Sequence, residues 1–226
     1  MDRPSFIFDL DGTLLDTLAD LASACNTILA SRGWPVRPVD SYRLMVGNGF
    51  AKLVERALPD GMAAALPAEE LAQLMAQGKR TYTEHLMDAT LPYEGMVEAV
   101  ERLAALGCPL GVLSNKPEPM TCRLVEHFFP GRFAAVHGGR SGMPLKPDPQ
   151  AVHALMEEMG PNPAGFLYVG DSNVDMMTAR NAGLPGIGAA WGFRGEAELA
   201  AAGAARIVRH PAELVALASG PALRAR

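Results

Sequence analysis

Three short apolar runs in this chain break off into clusters of small polar and charged residues, and a fourth such cluster opens a helix. Phe6-Ile7-Phe8, with Leu10, reads as a buried strand running into Asp9-Leu10-Asp11-Gly12-Thr13. Pro109 to Leu113 reads as a strand ending at Ser114-Asn115-Lys116, and Phe166 to Val169 as one ending at Gly170-Asp171-Ser172-Asn173-Val174-Asp175. The fourth cluster is Lys146-Pro147-Asp148-Pro149, with Asp148 as N-cap and proline in the first turn. In an open α/β sheet the ligand crevice lies outside the carboxyl ends of the strands. Clusters far apart in sequence are therefore expected to meet there.

The rest of the pattern supports such a sheet. After residue 92 strand and helix alternate. Val97, Val100 and Leu103 suggest a helix stopped by Gly107, Leu124, Val125 and Phe128 another, and Val152, Leu155, Met156 and Met159 a third. Phe133 to Val136, Gly186 to Ala190 and Arg206-Ile207-Val208 read as further strands, with a last helix from Pro211. That alternation predicts a doubly wound, Rossmann-like parallel sheet covered on both faces. From Asp16 to Leu91 only helical spacing is found, in Leu18, Leu21, Cys25, Ile28 and Leu29 and in Leu71, Leu74, Met75, Tyr82 and Leu86. The expected organisation is an α/β catalytic core of residues 1–15 and 92–226, with an all-helical cap of residues 16–91 inserted in it. The cap is expected to hinge near Leu15 and near Pro92-Tyr93-Glu94-Gly95. At 226 residues and 49% hydrophobic the chain is long enough to bury a core beside such an insert.

Composition narrows the partners. A net charge of -5 argues against nucleic acid and against an anionic membrane surface. Cys25, Cys108 and Cys122 form no C-x-x-C pair and read as reduced thiols, and the five histidines show no metal-ligand spacing. The apolar stretch Ser5 to Phe8 is too short for a signal sequence and no run reaches membrane-spanning length, so a cytoplasmic location is expected, as monomer or homodimer.

Each cluster suits one part of a phosphoryl transfer. A carboxylate such as Asp9 can attack phosphorus and split one difficult displacement into two. Asp11, two residues on, can protonate the leaving alkoxide and then take a proton from water, with Gly12 permitting the tight backbone path. The Ser114 hydroxyl and the Lys146 ammonium can hold phosphate oxygens and offset their charge, with Thr13 and Asn115 as further candidates. Asp9 and Asp171 can supply the carboxylates of a magnesium site, and Asp175 lies four residues on, where it can orient Asp171 or a bound water. Taken singly, the same residues suit turns, helix caps and solvated surface, and Asp171 could itself cap the following helix.

The order decides between these readings. D-x-D-G-T, then Ser, then Lys-Pro, then G-D-x-x-x-D resembles the haloacid dehalogenase superfamily of phosphotransferases over essentially the whole chain. The resemblance implies Asp9 as nucleophile, Asp11 as acid/base, Ser114 and Lys146 as phosphate ligands, and Asp171 as metal ligand with the Asp11 carbonyl. It also implies Mg2+ as cofactor and a small phosphorylated metabolite as substrate. Ser114-Asn115-Lys116-Pro117, Val46-Gly47-Asn48-Gly49, Gly138-Gly139 and Trp191-Gly192-Phe193 are similar to the phosphoglycolate phosphatase subgroup, whereas Arg140 stands where that subgroup often has an acidic residue. The expected reaction is hydrolysis of 2-phosphoglycolate through an aspartyl-phosphate. Arg43, Asn48 and Lys52 are candidate readers of the rest of the ester, and solvated helix charges are the competing account of Arg43 and Lys52. Other small-substrate members stay open: sugar phosphatase, nucleotidase, pyrophosphatase, phosphomutase, or a phosphonate hydrolase using Lys52. A silent scaffold would be signalled by loss of Asp9 or Asp11, and both are present.

Overall fold

Which apolar runs become strands is decided by burial on both faces. In the computed structural model, which describes residues 3–162 and 164–220, β1 (Ser5–Phe8) and β6 (Phe166–Gly170) are buried at every position. In chain order β1 is followed by β2 (Leu15–Asp16), α1 (Leu18–Ser31), a 3-10 helix (Val39–Leu44), α2 (Phe50–Ala57), α3 (Met62–Ala65), α4 (Ala68–Glu84) and β3 (Leu91–Pro92). Then come α5 (Met96–Ala105), β4 (Leu110–Pro117), α6 (Glu118–Phe128), β5 (Ala135–Gly139) and α7 (Gln150–Met159). After β6 the chain continues through α8 (Asn173–Asn181), β7 (Gly186–Ala189), α9 (Gly195–Ala201), β8 (Arg206–Val208) and α10 (Ala212–Leu217).

Six strands form the parallel sheet that the alternation predicts, in the order β5-β4-β1-β6-β7-β8. The order runs outward in both directions from β1, so the switch point lies where β4, β1 and β6 stand side by side. Phe8 is opposite Val112 of β4 and Val169 of β6, so Asp9 and Asp171, which follow their strands, and Ser114, which lies on β4, fall at the same level toward the carboxyl end of the sheet. One face packs on α7, where Ile7, Leu113, Val152, Leu155 and Tyr168 share a core. On α5 the structure departs from the expected face: Met96, Ala99, Val100 and Leu103 are buried and Val97 is exposed. The apolar positions at 96, 97, 99, 100 and 103 fit two overlapping helical stripes, and packing selects the one with Met96.

Contacts divide the chain into one unit of Met1–Asp16 with Pro92–Arg226 and another of Thr17–Leu91. The second unit is built on α1 against α4, with Leu21, Cys25, Ile28 and Leu29 buried on the one and Leu74, Gly78 and Tyr82 on the other. Within it Asp20 is buried, and its carboxylate accepts from Ala89 N, Thr90 N and Thr90 Oγ1 at 2.7–3.1 Å. Burial pushes the Cys25 thiol up to about 12, so it is a packing residue there. Among the described residues no helix is long and apolar enough to cross a membrane.

Candidate active site

Asp9 directly follows β1, its backbone N–H extending the ladder to Val169 O at 2.9 Å. Its Oδ1 accepts from Leu10 N at 2.6 Å and from Lys146 Nζ at 2.8 Å. The same ammonium donates to Asp175 Oδ1 at 2.8 Å and lies 5.9 Å from the centre of the Tyr168 ring. Lys146 therefore joins the ends of β1 and α8 from a loop that belongs to neither. What fixes that loop is Asn115: Lys146 N donates to Asn115 Oδ1 at 2.8 Å, and Asn115 Nδ2 donates to Lys146 O at 3.1 Å. The Asn115 amide, a candidate phosphate ligand in the sequence, is thus turned onto main chain, where it ties the Lys146 loop to β4.

Ser172, not Asp171, caps α8. Asp175 N donates to Ser172 Oγ, while Asp175 Oδ2 accepts from Ser172 N at 3.1 Å and Ser172 Oγ at 2.6 Å, a reciprocal capping box. Asp171 is left to face Asp9. Its Oδ2 accepts from Phe193 N at 2.6 Å, and Thr13 Oγ1 donates to its Oδ1 at 3.5 Å. Carboxylate oxygens of Asp9, Asp171 and Asp175 lie within 4.8 Å of one another, and all three side chains are buried.

Three carboxylates around one ammonium leave an excess of negative charge where water is scarce. Burial and the Asp175 carboxylate push Asp9 up to about 7, although Lys146 pulls it down. Asp171 is raised well above the usual carboxylate range by burial, Asp175 and Asp9, and the Phe193 N–H only partly offsets this. Burial works against the Lys146 ammonium, but Asp175 and Asp9 outweigh it and hold the charge firmly. A divalent cation with hard oxygen ligands would neutralise that excess, so the donor set and the local charge both fit one.

Asp11 stands outside this trio. Its Oδ1 pairs with Lys116 Nζ at 2.7 Å, with Lys116 only 2% exposed and Asp11 14%. Ser114 is buried beside them on β4, its Oγ accepting from Lys116 N at 3.2 Å. Gly12 links Asp11 to Thr13 at φ +86°, and a Cβ there would lie 2.4 Å from Asp171 Oδ2.

The loop after β7 closes the trio from another side. Trp191 Nε1 donates to Thr13 O at 3.0 Å, and between it and Phe193 a Cβ on Gly192 would sit 2.2 Å from Asp171 Cβ and 2.3 Å from Gly12 O. Neither neighbour can yield without moving a carboxylate of the trio or the Asp11–Thr13 turn. Gly192→Ala is expected to destabilise the fold by about 1–3 kcal/mol through overpacking. It should also lower kcat/KM at least about tenfold by displacing Asp171. Thermal melting and steady-state kinetics on the purified variant check this, and wild-type kinetics would show that the loop leaves Asp171 where it is.

The candidate readers in the helical unit are each engaged locally. Arg43 Nε meets Asp40 Oδ1 at 3.2 Å and Lys52 Nζ meets Glu55 Oε2 at 2.5 Å, both pairs exposed. Asn48 Oδ1 accepts from an Arg56 guanidinium that also bonds Met45 O, so Arg56 braces the Val46–Gly49 turn. Neither Lys116 nor Arg56 is assigned a role by the sequence motifs alone. For Lys116 a signal existed: a lysine inside the polar end of a buried strand needs an anionic neighbour. Arg56 carried none, because its partners are main chain and an amide.

Residues 6–189 match the sequence profile of the haloacid dehalogenase-like hydrolases. The chain belongs to that family, and with this sheet and site it is a phosphatase of the hydrolase class acting on a small phosphorylated substrate. Among curated relatives it is 37% identical over 200 residues to a phosphoglycolate phosphatase of Caulobacter vibrioides, covering 87% of this chain and 83% of that one. A phosphoglycolate phosphatase of Pseudomonas savastanoi pv. phaseolicola is 35% identical, over 83% of this chain and 69% of the relative. A solved structure from Lactobacillus delbrueckii subsp. bulgaricus superposes with a TM-score of 0.89 at 32% identity, covering 97% of this chain and 100% of that chain.

Proposed function

We propose that this phosphatase hydrolyses 2-phosphoglycolate, with Mg2+, through an aspartyl-phosphate on Asp9. The observation that carries the chemistry is the placing of Asp9 at the end of β1, its carboxylate fixed by Lys146 and within 4.8 Å of two more buried carboxylates. The substrate rests on the relatives named as phosphoglycolate phosphatases. Asp9 attacks phosphorus as the bond to the ester oxygen breaks, and Asp11 gives its proton to the departing alkoxide. Asp11 then takes a proton from the water that attacks the acyl-phosphate, releasing phosphate and restoring Asp9. Ser114, Thr13 and Lys146 hold the phosphoryl oxygens, and Asn115 acts through Lys146. Asp9, Asp171 and the Asp11 carbonyl would hold the magnesium, with Asp175 orienting the group. When bound, the ion neutralises charge on the carboxylates and the phosphoryl oxygens.

These residues grip only the phosphoryl group, and we propose the helical unit as the cap that reads the remainder. Arg43, Asn48 and Lys52 are its proposed readers. The exposed pairs of Arg43 with Asp40 and of Lys52 with Glu55 are worth at most about 1 kcal/mol, so a substrate carboxylate can displace them. A magnesium-supplemented panel of phosphate esters, ranked by kcat/KM, is expected to place 2-phosphoglycolate first. Arg43→Ala and Lys52→Ala should each cost about 2–5 kcal/mol in kcat/KM on that ester and far less on an aryl phosphate. A sugar phosphate or nucleotide at the head of the panel would replace the substrate while leaving the chemistry. Equal losses on both esters would move specificity to other residues.

A further inference from the structure

Two ammonium groups stand at the site, and they serve different carboxylates. Lys146 contacts Asp9 and Asp175, whereas Lys116 contacts Asp11. We infer that Lys116 is a positioning residue for Asp11, holding one carboxylate oxygen so that the other is presented to the ester oxygen and then to water. This rests on the acid/base reading of Asp11 above.

Lys116 is fixed along its whole length. Its N–H donates to Ser114 Oγ at 3.2 Å, and its carbonyl accepts from Thr121 Oγ1 of α6 at 3.1 Å. The β4–β5 register shifts between Leu113 and Pro117, an irregularity within which Ser114, Asn115 and Lys116 all fall. From there the buried stem carries the ammonium to within 2.7 Å of Asp11 Oδ1. A side chain so enclosed loses rotamer freedom and hydration, and what it gains in return is a charge-assisted bond of short length. Asp11 has the opposite character. It follows a strand end, is the more exposed partner, and its carboxylate is not one of the three clustered around Lys146. Without a fixed partner its carboxylate could adopt rotamers that face away from the reacting oxygens. The rigid lysine chooses one.

A lysine that grips phosphate and a lysine that aims Asp11 are separated by the leaving group. kcat/KM reports steps up to the first irreversible one, here ester cleavage. An aryl oxide departs without a proton, whereas an alkoxide needs the one from Asp11. The test measures kcat/KM in wild type, Asp11→Asn, Lys116→Met and the double variant, on 4-nitrophenyl phosphate and on the best alkyl ester of the panel. Lys116→Met is expected to lower the alkyl value about 100-fold, and the aryl value at least tenfold less. In the Asp11→Asn background the same substitution should bring no further loss on the alkyl ester, because its effect passes through Asp11. Equal losses on both esters, or full additivity with Asp11→Asn, would overturn the inference and leave Lys116 as a phosphoryl or packing residue. If Lys116→Met does not fold, the double variant decides, since it orphans no charge. Values matching Asp11→Asn on both esters then support the inference, and a further loss on both overturns it. Should Asp11→Asn itself lack the alkyl–aryl difference, the acid/base reading fails first.

Discussion

Asp9→Asn is expected to remove turnover by about 10⁴-fold or more while the protein stays folded. The amide keeps the shape of the carboxylate but has no oxygen nucleophilic enough to attack phosphorus. Folding should survive for an electrostatic reason. Asp9 is pushed up to about 7 because burial and Asp175 oppose its charge, so a neutral group there relieves repulsion. Lys146 loses one partner but retains Asp175 at 2.8 Å, and no buried ammonium is left unpaired. Acid quench of the wild type with radiolabelled ester should trap label on Asp9, and the variant should carry none. Substantial turnover in a preparation checked for deamidation would move the nucleophile elsewhere.

The parts of the fold that were legible in the sequence are those where one rule acts alone. Phe6-Ile7-Phe8 and Phe166 to Val169 read as buried strands because the runs are short, unbroken, rich in aromatic and β-branched residues and end in turn residues, and both are buried strands. Short elements were not legible. α3 has four residues and buries none, and α2 spans eight, too few to establish a helical period against the apolar background. The site divides in the same way. Residue types at strand ends announce carboxylates, a hydroxyl and an ammonium, but spacing carries no information on which side chain turns to which partner. Asn115 reads like a ligand, yet its side-chain amide bonds the main chain of Lys146, and Asp171, read as a metal ligand that could also cap α8, leaves the capping to Ser172. Lys116 and Asp11 are 105 residues apart, and only the adjacency of β1 and β4 pairs them. The turn at Trp191 to Phe193 gives no sign in sequence that its backbone supplies a donor to Asp171.

Removal of divalent metal should abolish activity and also change how stability depends on pH. In the metal-free protein Asp9 binds its proton up to about 7, whereas its ordinary value is 3.8. Between those values the folded chain holds a proton that the unfolded chain has released, so stability is greatest below about pH 4 for this group and falls as pH rises towards 7. Asp9 alone contributes at most about 4 kcal/mol to that loss, and Asp171 adds to it in the same direction. Lys146, raised well above 10.5, stays charged throughout and contributes no slope in this window. A divalent cation competes with the proton for the same oxygens. Magnesium should therefore raise the melting temperature of chelator-treated protein little at pH 5 and clearly at pH 8, and should restore turnover. Calcium should bind and raise the melting temperature, yet inhibit, because its looser geometry and larger ligand number let a nucleophilic carboxylate coordinate through both oxygens. Charge neutralisation alone would be satisfied by either ion, so inhibition by calcium separates a geometric requirement at Asp9 from an electrostatic one. Full activity after exhaustive chelation, or a melting temperature indifferent to magnesium at pH 8, would remove the metal from the site.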